Sequence, residues 1–207
     1  LAHRMVSSSP TTKTASETCA RIVSRRRRSS CSRSAAARVD RTSRHTSKEI
    51  NPALATTKAE PFTSSTVPSF FPGVVELLEE FRGRGGLVAV VSHSEEDIIR
   101  WHYREATGGA LAPDCIMGWH DEEYKRKPST YPVERVLEEL GVGAHEALVV
   151  DDLKPGVTMA RAAGVAVAGA GWGHDVASIV EQMRTLCDVY LGSVEDLREY
   201  LLASPTG

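Results

Sequence analysis

Three strings in this 207-residue sequence carry side chains that could hold a small anion and a divalent cation together. Ser92 follows the apolar run Leu87-Val88-Ala89-Val90-Val91 and precedes His93 and Ser94. A hydroxyl at a strand end, next to the free N–H groups of a starting helix, makes an anion site. The same residues also suit plain helix capping. Asp151 and Asp152 close the apolar run Ala147-Leu148-Val149-Val150. Two adjacent carboxylates repel unless a cation or solvent relieves them. Magnesium favours carboxylate oxygen and keeps several waters, so an open strand end suits it. The other reading is one Asp capping the next helix and the other solvated. Lys127 stands before Pro128, which keeps it in extended chain. Its ammonium could meet a phosphate oxygen or hold a carboxylate, or lie in a solvated basic loop.

These residues need elements to position them, and the last two-thirds of the chain supply a regular alternation. Val74, Val75, Leu77, Leu78 and Phe81 recur at helical spacing and stop at Gly83, Gly85 and Gly86. Leu87–Val91 reads as a buried parallel strand. Ser94 reads as the N-cap, with Asp97 three residues on, of a helix carrying Ile98, Ile99, Trp101 and Ala106. Asp114–Trp119, Ala147–Val150, Val165–Ala170 and Val189–Leu191 read as further strands. Pro132–Leu140, Pro155–Ala163, Val176–Leu186 and Val194–Leu202 read as helices. The alternation predicts an α/β fold with a Rossmann-like parallel sheet and helices on both faces. Ligands of such sheets bind beyond the carboxyl ends of the strands. Ser92, Lys127 and Asp151/Asp152 all fall in loops at those ends.

Composition divides the chain differently. Residues 1–48 hold 12 Lys/Arg against Glu17 and Asp40, a balance of +10, and the remainder balances at −12. Residues 1–66 are rich in Arg and Ser, include Arg25-Arg26-Arg27-Arg28, and hold no aromatic before Phe62. A segment so poor in apolar surface is expected to be disordered, which sets the domains at 1–66 and 67–207. The basic segment fits an organelle transit peptide, a nucleic-acid-binding tail, or a truncated or mistranslated start. No aromatic interleaves with its arginines, which disfavours nucleic acid as a partner. No run of eighteen apolar residues exists, so a membrane span is not expected. Cys19, Cys31, Cys115 and Cys187 lack C-x-x-C spacing and predict neither a zinc site nor a disulfide framework. The compartment expected is cytoplasmic or organellar.

With Ser92, Lys127 and the Asp151/Asp152 doublet in order, the chain resembles the haloacid dehalogenase superfamily, and within it the phosphoglycolate-phosphatase-like hydrolases. The resemblance rests on Phe71-Pro72-Gly73-Val74, Val91-Ser92-His93-Ser94, Lys127-Pro128 and Val150-Asp151-Asp152 through Ala162-Ala163-Gly164-Val165. Gly171-Trp172-Gly173-His174-Asp175 is similar to a tryptophan-glycine loop of these phosphatases, and the likeness spans roughly residues 67–203.

The resemblance implies a magnesium-dependent hydrolase of small phosphorylated metabolites. Ser92 would bind the transferring phosphoryl group with backbone N–H groups near His93 and Ser94. Lys127 would stabilise its charge. Asp152 would be the main Mg2+ ligand, with Asp151 supporting it, and Trp172 and His174 would touch substrate. The family's first motif, an apolar strand ending in Asp-x-Asp-Gly whose first Asp attacks phosphorus, has no counterpart here. Asp40 in Ala35-Ala36-Ala37-Arg38-Val39-Asp40 is the nearest string. In the family that strand lies between those ending at Ser92 and Asp151, so Ala35–Asp40 or Ala20–Ser24 fills the gap, or its flanks pair directly, or the chain is only marginally stable. The family's helical cap is not recognisable either. Little or no turnover is therefore expected, and a silent relative that binds a phosphorylated ligand or a protein is the alternative.

Overall fold

The apolar runs Leu87–Ser92 (β2) and Ala147–Asp151 (β4) are buried along their whole length. Such runs suit strands covered on both faces. The computed structural model describes residues 19–24 and 70–203, the first five of them as backbone only. Besides β2 and β4, the strands are Cys19–Ser24 (β1), Cys115–Met117 (β3), Ala166–Ala170 (β5) and Val189–Leu191 (β6). The helices are Val74–Gly83 (α1), Glu96–Thr107 (α2), Tyr131–Leu140 (α3), Lys154–Ala162 (α4), Ala177–Leu186 (α5) and Val194–Leu202 (α6). They form one sheet in the order β3-β2-β1-β4-β5-β6. The α/β fold expected from the alternation is the fold observed.

Successive side chains of a strand point to opposite faces, and both faces are covered. Val88 and Val90 pack with Leu77, Leu78 and Phe81 of α1, Ile99 and Tyr103 of α2, and Leu197 and Leu201 of α6. Ala89 and Val91 pack with Val133 and Val136 of α3, Val157, Met159 and Ala160 of α4, and Met183 of α5. Gly108 and Gly141 close α2 and α3 with φ of 58° and 64°, where a side chain would be strained.

The central slot is filled by Cys19–Ser24, which contains the second candidate segment, Ala20–Ser24, and starts one residue earlier. Its direction is the unexpected feature. β1 runs antiparallel to both neighbours, with Cys19 opposite Ser92 and Ser24 opposite Leu87 and Ala147. The pairs β2–β3, β4–β5 and β5–β6 are parallel. Five parallel strands thus enclose one reversed strand, which supplies backbone partners to β2 and β4 that would otherwise be missing. Ala35–Asp40, the expected disorder over the rest of 1–66 and the cap lie outside the described residues.

The start of α2 differs from expectation. The helix begins at Glu96, and its N-cap Glu95 makes no side-chain cap bond. Ser94 is engaged elsewhere: its N–H donates to Ser92 Oγ at 3.1 Å and its carbonyl accepts from Trp119 N at 2.8 Å. Ile99 and Tyr103 face inward, while Ile98 and Ala106 are exposed. Among the described residues no helix is long and apolar enough to cross a membrane.

Candidate active site

Strand register sets the level of the site residues. Arg21 lies opposite both Val90 and Val150, so Ser92 and Asp152 stand level on either side of β1. Two strand spacings, roughly 10 Å, separate their backbones. β1 lies between them, so a phosphoryl group and a cation would sit beyond its Cys19 end rather than in the plane of the sheet. Ser92, Lys127, Asp151 and Asp152 are all buried polar residues.

Each side chain is held by its neighbours. Ser92 Oγ accepts from the Ser94 N–H, which orients the hydroxyl and leaves its proton to donate outward. His93 Nε2 donates to the Lys127 carbonyl at 3.3 Å and ties the loop after β3 to the end of β2. Lys127 Nζ then reaches Asp151 Oδ2 at 3.0 Å, and both side chains are at most 1% exposed. Of the two partners open to the ammonium, the carboxylate is the one it meets. Asp151 Oδ1 accepts from Leu153 N at 2.9 Å. Gly156 at the start of α4 is required here, because a Cβ would collide with the Asp151 carboxyl.

Asp152 is held less completely. Its buried Oδ2 lies 3.1 Å from the buried His174 Nε2, an ion pair when the imidazole is protonated, and neither atom has another hydrogen-bond partner. Gly173 presses on the same carboxylate, and a Cβ at Gly173 would stand 2.5 Å from Asp152 Cβ. Burial, and then the neighbouring Asp151 charge, push the Asp152 carboxyl up to about 7. Asp is ordinarily near 3.9, so the folded state takes up a proton here between about pH 4 and pH 7. Stability from this group is therefore lost as pH rises through that window. In chelator-treated protein, Asp152→Asn should raise the melting temperature by several degrees at pH 8 and leave it unchanged near pH 4. Parallel thermal melts check this, and equal shifts at both pH values would contradict it.

The other site candidates separate. His93 and Ser94 lie at the same rim, His93 exposed with its ring edge to face against Trp119 at 6.1 Å. Trp172 is half-buried and packs against the core on the α1 side. His174, from the same loop, is the one that reaches the acid pair. That contact is missed by sequence reasoning, although a histidine after Gly173 at the end of the strand beside β4 was its signal. Asp40 lies outside the described residues. Cys115 and Cys187 are free and buried, with burial pushing their thiols up to about 12 and about 11.

The family model for haloacid dehalogenase-like hydrolases matches residues 11–170, which include β1 and all four polar site residues. The chain belongs to this family. Within the haloacid dehalogenase-like hydrolases it is similar to a phosphoglycolate phosphatase of Rhodospirillum rubrum, with 34% identity over 106 residues. That match takes in 51% of this chain and 43% of the relative, so the likeness spans less than half of the relative's length. Two crystal structures of candidate phosphoglycolate phosphatases share the fold. One, from Lactobacillus delbrueckii subsp. bulgaricus, has a TM-score of 0.55 at 22% identity, covering 65% of this chain and 54% of that one. The other, from Haemophilus somnus, has 0.54 at 23%, covering 63% and 56%.

Proposed function

We propose that the β2–β4 rim is a magnesium-assisted phosphomonoester site of the haloacid dehalogenase type, with weak or no turnover in this chain. Small phosphorylated metabolites similar to phosphoglycolate are the substrate class, after the R. rubrum relative. The observation that carries the reading is the pairing at the rim. Lys127 offsets Asp151, while Asp152 keeps a buried oxygen without a hydrogen-bond partner. A phosphoryl dianion brought against that carboxylate is repelled unless a cation lies between them. The donor set is carboxylate oxygen at an open strand end, which fits Mg2+. Asp152 would hold the ion, with Asp151 supporting it directly or through water. When bound, the ion would neutralise negative charge on the phosphoryl oxygens.

The chain's own residues bind and orient. Ser92 donates its hydroxyl proton to one phosphoryl oxygen. Lys127, fixed by Asp151, places positive charge beside another. These interactions position the group and spread its charge, which is most of what phosphoryl transfer asks of a protein. The bond-making carboxylate is what the described residues lack. β1 stands where the family places its nucleophile strand, but its carboxyl end, Ser24, lies beside Leu87 and Ala147 at the opposite rim. Covalent catalysis without its nucleophile loses the defining step.

Release of p-nitrophenol from p-nitrophenyl phosphate in Mg2+ tests this. The full chain should show almost no rate above a no-enzyme control. A robust rate abolished by Asp152→Asn would overturn the weak-turnover reading and leave the phosphatase reading standing. The alternative is a silent binder of a phosphorylated ligand, favoured by the reversed β1 and supported by saturable binding without hydrolysis.

A further inference from the structure

We propose that His174 is a ligand of the divalent cation beside Asp152, and that it shifts the site from Mg2+ toward Mn2+. This rests on the reading of Asp152 as the cation-holding carboxylate. His174 Nε2 and Asp152 Oδ2 are both buried and face each other at 3.1 Å, an ion pair when the imidazole is protonated, and neither atom has another hydrogen-bond partner. Adjacent ligands of an octahedral ion at roughly 2.1 Å stand about 3 Å apart, which is the separation found here.

The loop geometry holds the imidazole in place. Gly171 N donates to the Leu191 carbonyl at 2.8 Å, and Gly173 N to the Ala170 carbonyl at 3.0 Å. Trp172 between them packs on the core. Gly173 lies against Asp152 with no room for a side chain, so the next residue is delivered to the carboxylate. Among the described residues no group of three or more His, Cys, Asp or Glu is gathered for a metal. With Asp151 acting directly or through water, the remaining positions would fall to water and phosphoryl oxygen. Imidazole nitrogen binds Mn2+ better than Mg2+, which prefers oxygen, so one histidine changes the preference of a carboxylate site.

The test uses the full chain with Mn2+ or Mg2+ alone, measured by calorimetry, with pulsed electron paramagnetic resonance on the Mn2+ form. Wild type should bind Mn2+ more tightly than Mg2+ and show a nitrogen coupling to Mn2+. His174→Ala should weaken Mn2+ about tenfold or more, change Mg2+ much less, and remove the coupling. The His174→Gln variant, with an amide in place of the ring, should lose the coupling as well. If His174 only pairs with Asp152, removing it frees the carboxylate. Unchanged or tighter Mn2+ binding in His174→Ala, or no nitrogen coupling in wild type, would overturn the proposal. Asp152→Asn separates the two readings. Loss of both cations there, with His174→Ala like wild type, rejects His174 alone. Cation binding that survives Asp152→Asn rejects the carboxylate site itself.

Discussion

Lys127→Met is expected to lower the melting temperature of the full chain by about 10 °C. The Lys127 and Asp151 side chains are at most 1% exposed and 3.0 Å apart. Removing one partner of a buried ion pair leaves the other charge uncompensated and costs roughly 3–5 kcal/mol. For a domain of this size each kcal/mol shifts the midpoint by about 2–4 °C. Met keeps most of the stem volume, so the loss reports the charge rather than a cavity. The double variant Lys127→Met/Asp151→Asn should recover a large part of the loss, because the orphaned charge is gone and an amide oxygen can still accept from Leu153 N. Thermal denaturation of the three proteins checks this. A single variant melting within a degree or two of wild type would show that the pair is not buried as described.

The second large effect concerns β1. Ile22→Pro and Val23→Pro should each abolish the cooperative thermal transition. β1 pairs with six residues of β2 and four of β4. Successive N–H groups of a strand point to opposite sides, so one of these prolines removes a bond to β2 and the other a bond to β4. Each buried backbone group left unsatisfied costs about 1–3 kcal/mol, against a total margin of roughly 5–15 kcal/mol. Proline adds a steric clash within the ladder. Circular dichroism during heating is the measurement. Two variants that melt like wild type would remove β1 from the centre of the sheet.

These two expectations also mark where the sequence is legible and where it is not. Ser92, Asp151 and Asp152 could be placed because each ends an apolar run, and the end of a buried parallel strand is where ligands bind. Lys127 could be placed in an extended loop, but its choice of Asp151 over a ligand is decided by strand β4, far off in sequence. β1 carries Arg21 within Cys-Ala-Arg-Ile-Val-Ser and lies beside a run of four arginines. Nothing local marks it as a central strand; the gap between β2 and β4 demands it. Its direction is invisible for a different reason. Alternation of side chains reads the same forwards and backwards, so a two-residue period cannot give strand polarity. Ser94 shows the same limit at smaller scale: its backbone bonds to Ser92 and Trp119, and the helix starts two residues later at Glu96. His174 meets Asp152 only because β5 lies next to β4.

On the proposed reading, Ser92, Lys127 and Asp152 surround one phosphoryl pocket at the β2–β4 rim. Broadening of the phosphorus resonance of inorganic phosphate, titrated in Mg2+ against the full chain, tests it most directly. Wild type should show saturable binding. Ser92→Ala and Asp152→Asn should each weaken it by about tenfold or more, the first by removing a hydrogen bond to a charged group and the second by removing the cation's ligand. Phosphate bound equally well by wild type and both variants, or not bound by wild type at all, would contradict the account.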